Sequence, residues 1–123
     1  MACILVIDDE PIVRTVIRKY LEIEGHEVVE APDGEVGLEL FRAKPTDLVI
    51  TDILMPNKEG IETIREFRRD FPELKIIAMS GGGRVDSNAY LNLAKKFGAT
   101  RVYEKTADWS RLVKMVGEVL SAE

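Results

Sequence analysis

Two hydrophobic periods alternate five times along this chain, and that alternation limits its fold more than any other feature. Short apolar runs occur at Cys3–Ile7, Val28–Ala31, Leu48–Thr51, Ile76–Met79 and Thr100–Tyr103. Between them the apolar residues take helical spacing. Ile12, Val13, Val16, Ile17, Tyr20 and Leu21 fall on one helical face. Ile61, Ile64 and Phe67 begin a second stripe; Tyr90, Leu93, Ala94 and Phe97 make a third; Leu112, Val113, Val116, Val119 and Leu120 make the last. The stretch from Asp33 to Ala43 has the weakest pattern, since Gly37 and the glutamates interrupt it, but Leu38 and Phe41 can share a face. Nearly all-apolar strands alternating with amphipathic helices predict a parallel sheet covered on both sides. Right-handed crossovers turn five such units into an α/β, doubly wound (βα)5 three-layer sandwich, with strand order 2-1-3-4-5. That order puts a topological switch point between strands 1 and 3, beyond whose carboxyl ends a functional site is expected.

Punctuation agrees with these boundaries. Pro11 suits the first turn of a helix, where its missing N–H costs nothing. Gly25 and Gly98 follow helical stripes at positions that want a left-handed cap. Asp33, Asp86 and Asp108 are expected N-caps, and Pro45 and Pro72 separate a helix from the next strand. At 123 residues and a net charge of −5, the chain fits one domain, 1–123, with the last helix expected to run almost to Glu123 and no output domain beyond it. A domain of this size buries about two-thirds of its unfolded surface and needs no disulfide or zinc staple. The single cysteine, Cys3, suits a reducing cytoplasm. Acidic charge disfavours direct nucleic-acid binding, and no apolar run approaches the ~20 residues that span a bilayer.

The chemistry concentrates where the fold predicts it. Strand 1 runs into Asp8, Asp9 and Glu10, and strand 3 into Asp52. These two ends are neighbours in the expected order, so Asp8, Asp9 and Asp52 converge on one crevice. Crowded carboxylates oppose each other's ionisation unless a cation offsets them. Oxygen-only donors select a hard metal, Mg²⁺ before Ca²⁺, and the spaced acidic loop of a calcium hand is absent. Taken singly, each residue has a plain alternative: an aspartate here can cap the helix at Pro11, a lysine at a strand end is usually solvated, and a serine beside glycines is usually a turn residue.

The runs Ile4-Leu5-Val6-Ile7-Asp8-Asp9-Glu10-Pro11 and Asp47-Leu48-Val49-Ile50-Thr51-Asp52-Ile53-Leu54-Met55-Pro56, with Ser80 after strand 4 and Lys105 after strand 5, resemble the receiver (phosphoacceptor) domain of two-component response regulators, the CheY-like family of flavodoxin-like fold. Gly98-Ala99 ahead of strand 5 adds to the likeness, which spans the whole chain. The resemblance implies a cytoplasmic signalling switch in which Asp52 accepts a phosphoryl group from a sensor histidine kinase or histidine phosphotransfer protein. It implies Mg²⁺ held by Asp9, Asp52 and the backbone carbonyl of Leu54, with Asp8 acting through water. Lys105 is implied as an ion-pair partner of Asp52 that moves onto a phosphoryl oxygen, and the Ser80 hydroxyl as the donor to another, with Glu10 either assisting the metal or serving as a first-turn helix charge. The phosphorylated state is then expected to shift the face of helix 4, strand 5 and helix 5 and to act on a downstream protein target or a missing output domain. Slow self-dephosphorylation, rather than turnover, is implied.

Three departures from the family pattern stand out. Thr106 replaces the usual proline after Lys105, so a trans peptide or an unusual loop is expected there. Val102 stands where the family places its switching aromatic, and Tyr103 one position later belongs to the opposite strand face. Ser80 is followed by Gly81, Gly82 and Gly83, which suggests a mobile loop; no P-loop motif accompanies them. The departures motivate an alternative, a poorly phosphorylated protein-interaction module. A phosphatase of the haloacid dehalogenase type would want D-x-D after strand 1, and the aspartates here are adjacent. His26 is expected to be structural or exposed, Cys3 a small core residue, Trp109 a packing residue of the last helix, and Arg65, Arg68 and Arg69 a solvated face of helix 3.

Overall fold

The computed structural model describes residues 2–53, 60–81, 87–105 and 108–122, without the side chains of 87–91. Strands and helices alternate as β1 (Cys3–Ile7), α1 (Pro11–Ile23), β2 (Glu27–Ala31), α2 (Gly34–Ala43), β3 (Leu48–Asp52), α3 (Gly60–Asp70), β4 (Lys75–Gly81), α4 (Ser87–Lys96), β5 (Arg101–Lys105) and α5 (Ser110–Ser121). All pairings are parallel, in the order β2-β1-β3-β4-β5. The expected (βα)5 architecture and its strand order are therefore the observed ones. Among the described residues no helix is long and apolar enough to cross a membrane.

The continuous apolar runs have a direct cause: the inner strands are buried on both faces. Ile4 and Val6 of β1 join a core completed by Ile17 and Leu21 of α1 and Leu112, Val116 and Val119 of α5. Leu5 and Ile7 point the other way, into a core completed by Leu38 and Phe41 of α2, Ile64 and Phe67 of α3, and Ala94 of α4. Each full burial of such an aliphatic side chain contributes roughly 2 kcal/mol. In α1 the sheet takes one ridge of the predicted stripe: Ile17 and Leu21 are buried, whereas Ile12 at 77% and Tyr20 at 40% exposure stand outside it. A stripe two residues wide is broader than the line along which a helix meets a sheet.

The turns follow the predicted punctuation. Gly25 and Gly98 adopt φ of +88° and +129°, the left-handed region that follows a helix end. The Asp33 carboxylate accepts from the Val36 N–H at 2.9 Å and caps α2. Gly37, which blurs the α2 pattern in sequence, packs against β1: a Cβ there would run into the end of the Ile7 side chain, which would have to shift. Asp108 sits one residue before the position that immediately precedes α5, which is Trp109; its Oδ1 still accepts from the Ser110 N–H at 3.1 Å. Asp86 lies outside the described residues.

Arg68 departs from expectation. It is not part of a solvated face: its Nε and Nη2 donate to the Gly98 carbonyl at 3.1 and 2.7 Å, and its Nη1 donates to the Pro72 carbonyl at 2.7 Å. Arg65, whose guanidinium lies 5.1 Å from the centroid of the Phe97 ring, and Arg69, paired with Asp70, are exposed as expected. Cys3 is half-buried, and burial together with nearby Glu27 pushes its thiol pKa up. His26 is structural, its Nδ1 accepting from the Ala2 N–H at 3.2 Å.

Candidate functional site

Four strands, β1, β3, β4 and β5, deliver the predicted residues to one end of the sheet. Asp52 is the last residue of β3, and Lys105 the last of β5. Both β4 and β5 extend two residues further than their apolar runs suggest, so Ser80 lies inside β4 and Lys105 inside β5 instead of in the following loops. The register explains the extension, since Ser80 pairs with Glu104 and Gly81 with Lys105. Met79, the residue before Ser80, is opposite Asp52. Asp8 follows the end of β1, its N–H donating to the Ala31 carbonyl at 3.1 Å.

Asp8 and Asp52 are almost wholly buried, at 0% and 4% exposure. Buried carboxylates are costly unless paired. Lys105 supplies the pairing, its Nζ lying 2.7 Å from Asp8 Oδ2 and 3.1 Å from Asp52 Oδ2. Burial alone would lower the Lys105 pKa, but the fields of Asp52 and Asp8 and the hydrogen bonds to both outweigh it and the net shift is upward. The ammonium is held charged between two anions from different strands. The sequence pointed to the partnership with Asp52 but not to the closer one with Asp8.

Asp9 and Glu10 are exposed and continue the acidic run outward. Asp8, Asp9 and Glu10 can each bring one carboxylate oxygen within 4.8 Å of the others. Among the described residues, Asp9 and Glu10 thus add their carboxylates beside an Asp8–Lys105–Asp52 bridge that already sets two carboxylates against one ammonium, an excess of negative charge. An all-oxygen donor set with that excess suits a hard divalent cation. Glu10 stands in the same group of donors as Asp8 and Asp9 and is also the residue immediately before α1, where its side chain makes no capping hydrogen bond. Ser80 is fully buried at the same end of the sheet. Leu54, Gly82, Gly83 and the Thr106 side of its peptide with Lys105 lie outside the described residues.

Arg14 was missed by sequence reasoning. Its Nη1 donates to the Asp8 carbonyl at 2.6 Å and its Nε to Glu30 Oε1 at 3.1 Å. Arg18, one turn later, places Nε 2.9 Å from Glu30 Oε2, an ion pair whose N–H is not aligned for a hydrogen bond. Its Nη2 donates to the Val28 carbonyl at 2.9 Å. The available signal was the i, i+4 pair of arginines ahead of a lone inner glutamate on β2.

The comparisons with known proteins point the same way. A family model described as the response regulator receiver domain matches residues 4–117. The response regulator GtcR of Aneurinibacillus migulanus is 37% identical over 90 residues, covering 73% of this chain and 36% of that protein. The CAI-1 autoinducer sensor kinase/phosphatase CqsS of Vibrio cholerae is 37% identical over 113 residues, covering 92% of this chain and 16% of that protein. The crystal structure of response regulator protein TrrA from Thermotoga maritima, in complex with Mg(2+)-BeF, superposes with a TM-score of 0.86 at 33% identity, covering 97% of this chain and 99% of that one. The chain spans about a third or less of the length of these curated relatives.

Proposed function

The chain belongs to the response regulator receiver domain family, and on that premise we propose that it is a phosphorylation switch whose acceptor is Asp52. The supporting observation is the buried Asp8–Lys105–Asp52 bridge, one ammonium spanning 2.7 and 3.1 Å contacts at the carboxyl ends of the strands. An Asp52 oxygen attacks the phosphorus of a phosphohistidine on a kinase or phosphotransfer protein. The P–N bond breaks, the imidazole leaves, and an acyl phosphate forms. Attack of one anion on another makes charge neutralisation and in-line placement the principal tasks. Lys105 moves from the Asp52 carboxylate to a phosphoryl oxygen, and the Ser80 hydroxyl donates to another. Asp8, Asp9 and Asp52, with the Leu54 carbonyl, hold Mg²⁺, which when bound screens the phosphoryl charge. The donor chemistry at Asp8, Asp9 and Glu10 supports this assignment, as does the Mg(2+)-BeF complex of the Thermotoga relative.

The added charge and acceptor oxygens favour a conformation in which Ser80 and Lys105 both engage the phosphoryl group, and that preference shifts the population. The output is read at the face of α4, β5 and α5, through contacts with a separate cytoplasmic partner or a further segment of the same polypeptide. Hydrolysis of the acyl phosphate is slow, so the domain resets without being a turnover enzyme. Mass spectrometry after treatment with acetyl phosphate and Mg²⁺ tests the reading. One phosphate on Asp52 is expected, absent without Mg²⁺ and absent in Asp52→Asn; labelling that persists in Asp52→Asn refutes it.

A second reading, an interaction module that is poorly phosphorylated, draws on Val102, which occupies the position of the family's switching aromatic. It expects partner binding indifferent to Mg²⁺ and to phosphodonor, and a large change of affinity on phosphorylation excludes it.

A further inference from the structure

Asp8 is held from four directions. Its N–H donates to Ala31 at 3.1 Å, its Oδ1 accepts from the Glu10 N–H at 2.9 Å, its Oδ2 accepts from Lys105 at 2.7 Å, and its carbonyl accepts from Arg14 at 2.6 Å. Arg14 provides the one of these bonds that comes from a side chain of α1, and through Glu30 it leads on to β2. A carbonyl fixed by a guanidinium fixes the plane of the Asp8–Asp9 peptide. That plane sets the direction in which the exposed Asp9 side chain leaves the backbone. Arg14 is in turn held by Glu30, a carboxylate that it shares with Arg18. A charge-assisted bond to a carbonyl and a glutamate holding the guanidinium from behind form an outer support for a set of metal-binding oxygens.

We propose that Arg14 is a positioning residue: through the Asp8 carbonyl it orients the acidic loop so that the Asp8 and Asp9 carboxylates face one divalent cation. The inference rests on the Mg²⁺-dependent phosphoacceptor reading and assigns to that site a support drawn from α1 and β2. Electrostatics and positioning make opposite predictions here. Deleting a positive charge near a cation site should tighten Mg²⁺ binding, whereas loosening the loop should weaken it.

The experiment is calorimetric titration of Mg²⁺ into the wild type, Arg14→Gln and Arg14→Lys, with thermal unfolding to confirm that each is folded. Arg14→Gln is expected to bind Mg²⁺ about 10-fold more weakly, the lower end of what loss of an outer support costs. Arg14→Lys keeps the charge but reaches only one of the two acceptors, so its affinity is expected to lie between the other two. If Arg14→Gln fails to fold, Arg14→Lys decides alone: weaker binding than wild type supports the role, and equal binding overturns it. An Arg14→Gln affinity equal to or tighter than wild type also overturns it, while leaving the phosphoacceptor reading intact. A wild type that binds no Mg²⁺ overturns both.

Discussion

Val102 and Tyr103 are adjacent on β5 and face opposite cores: Val102 packs against the cluster beneath α2, α3 and α4, and Tyr103 is buried in the one beneath α1 and α5. The Tyr103 hydroxyl donates to the Asp108 carbonyl at 3.0 Å, and its ring lies 6.2 Å from that of Trp109. Strand alternation puts Val102 on the same sheet face as Ser80 and Tyr103 on the other. Tyr103→Phe should therefore lower stability by about 1 kcal/mol, the worth of one hydrogen bond, without changing the rate at which acetyl phosphate labels Asp52. Urea denaturation and a labelling time course check both halves. A several-fold drop in labelling would show that this tyrosine reaches the site after all.

Removing the bridging ammonium leaves Asp8 and Asp52 buried without their cation. Lys105→Met is expected to cost about 3 kcal/mol at neutral pH, as when one partner of a buried ion pair is deleted. Mg²⁺ should restore part of the loss. Urea midpoints with and without Mg²⁺ measure this, and a variant as stable as wild type in the absence of metal contradicts it.

The alkaline limb of the stability profile carries a signature of the same residue. Because the pKa of Lys105 is raised in the folded chain above its ordinary value of 10.5, its stabilisation is complete below that value. It disappears as pH rises through the higher folded pKa. Wild type should lose more stability than Lys105→Met as pH rises above about 10.5, so the two curves converge. Parallel curves would mean that the ammonium is not coupled to folding.

Gly60 stands directly behind the acceptor. A Cβ there would overlap the Asp52 carbonyl oxygen and the Ile53 Cα, backbone atoms that cannot swing aside. Gly60→Ala is expected to cost about 2 kcal/mol and to slow labelling of Asp52 by displacing its backbone. Thermal unfolding and the labelling rate are the readouts, and an unperturbed variant would mean that α3 can shift away from β3 at little cost.

Much of this was legible in the chain because it is written locally. Strands buried on both faces must be apolar throughout, so β1, β3 and β4 announce themselves, and the glycines at 25 and 98 mark ends that only a positive φ can make. The meeting of Asp8 and Asp52 was expected from strand order once the periods were recognised, whereas Lys105 came in through the family resemblance. Side chains that act across elements were less legible. Arg14 and Arg68 look like solvated helix charges in sequence, and only tertiary placement turns them toward the Asp8 and Gly98 carbonyls. The ends of β4 and β5 were underestimated for the same reason: Ser80 and Lys105 are polar, and they stay in the sheet because neighbouring strands supply their backbone partners.

At the end of the sheet remote from the acidic crevice, Arg68 donates to carbonyls at two separate chain reversals, Pro72 after α3 and Gly98 after α4. One guanidinium therefore acts as a rivet through two corners, and their fraying is coupled even though they lie far apart in sequence. In Arg68→Ala, amide hydrogens around residues 73–75 and 98–100 should lose exchange protection together, leaving β1 and its neighbours as slow as before; independent opening of the two corners would break that coupling. A chain stitched this way gives up its margin as a unit, so wear at either corner is felt at both.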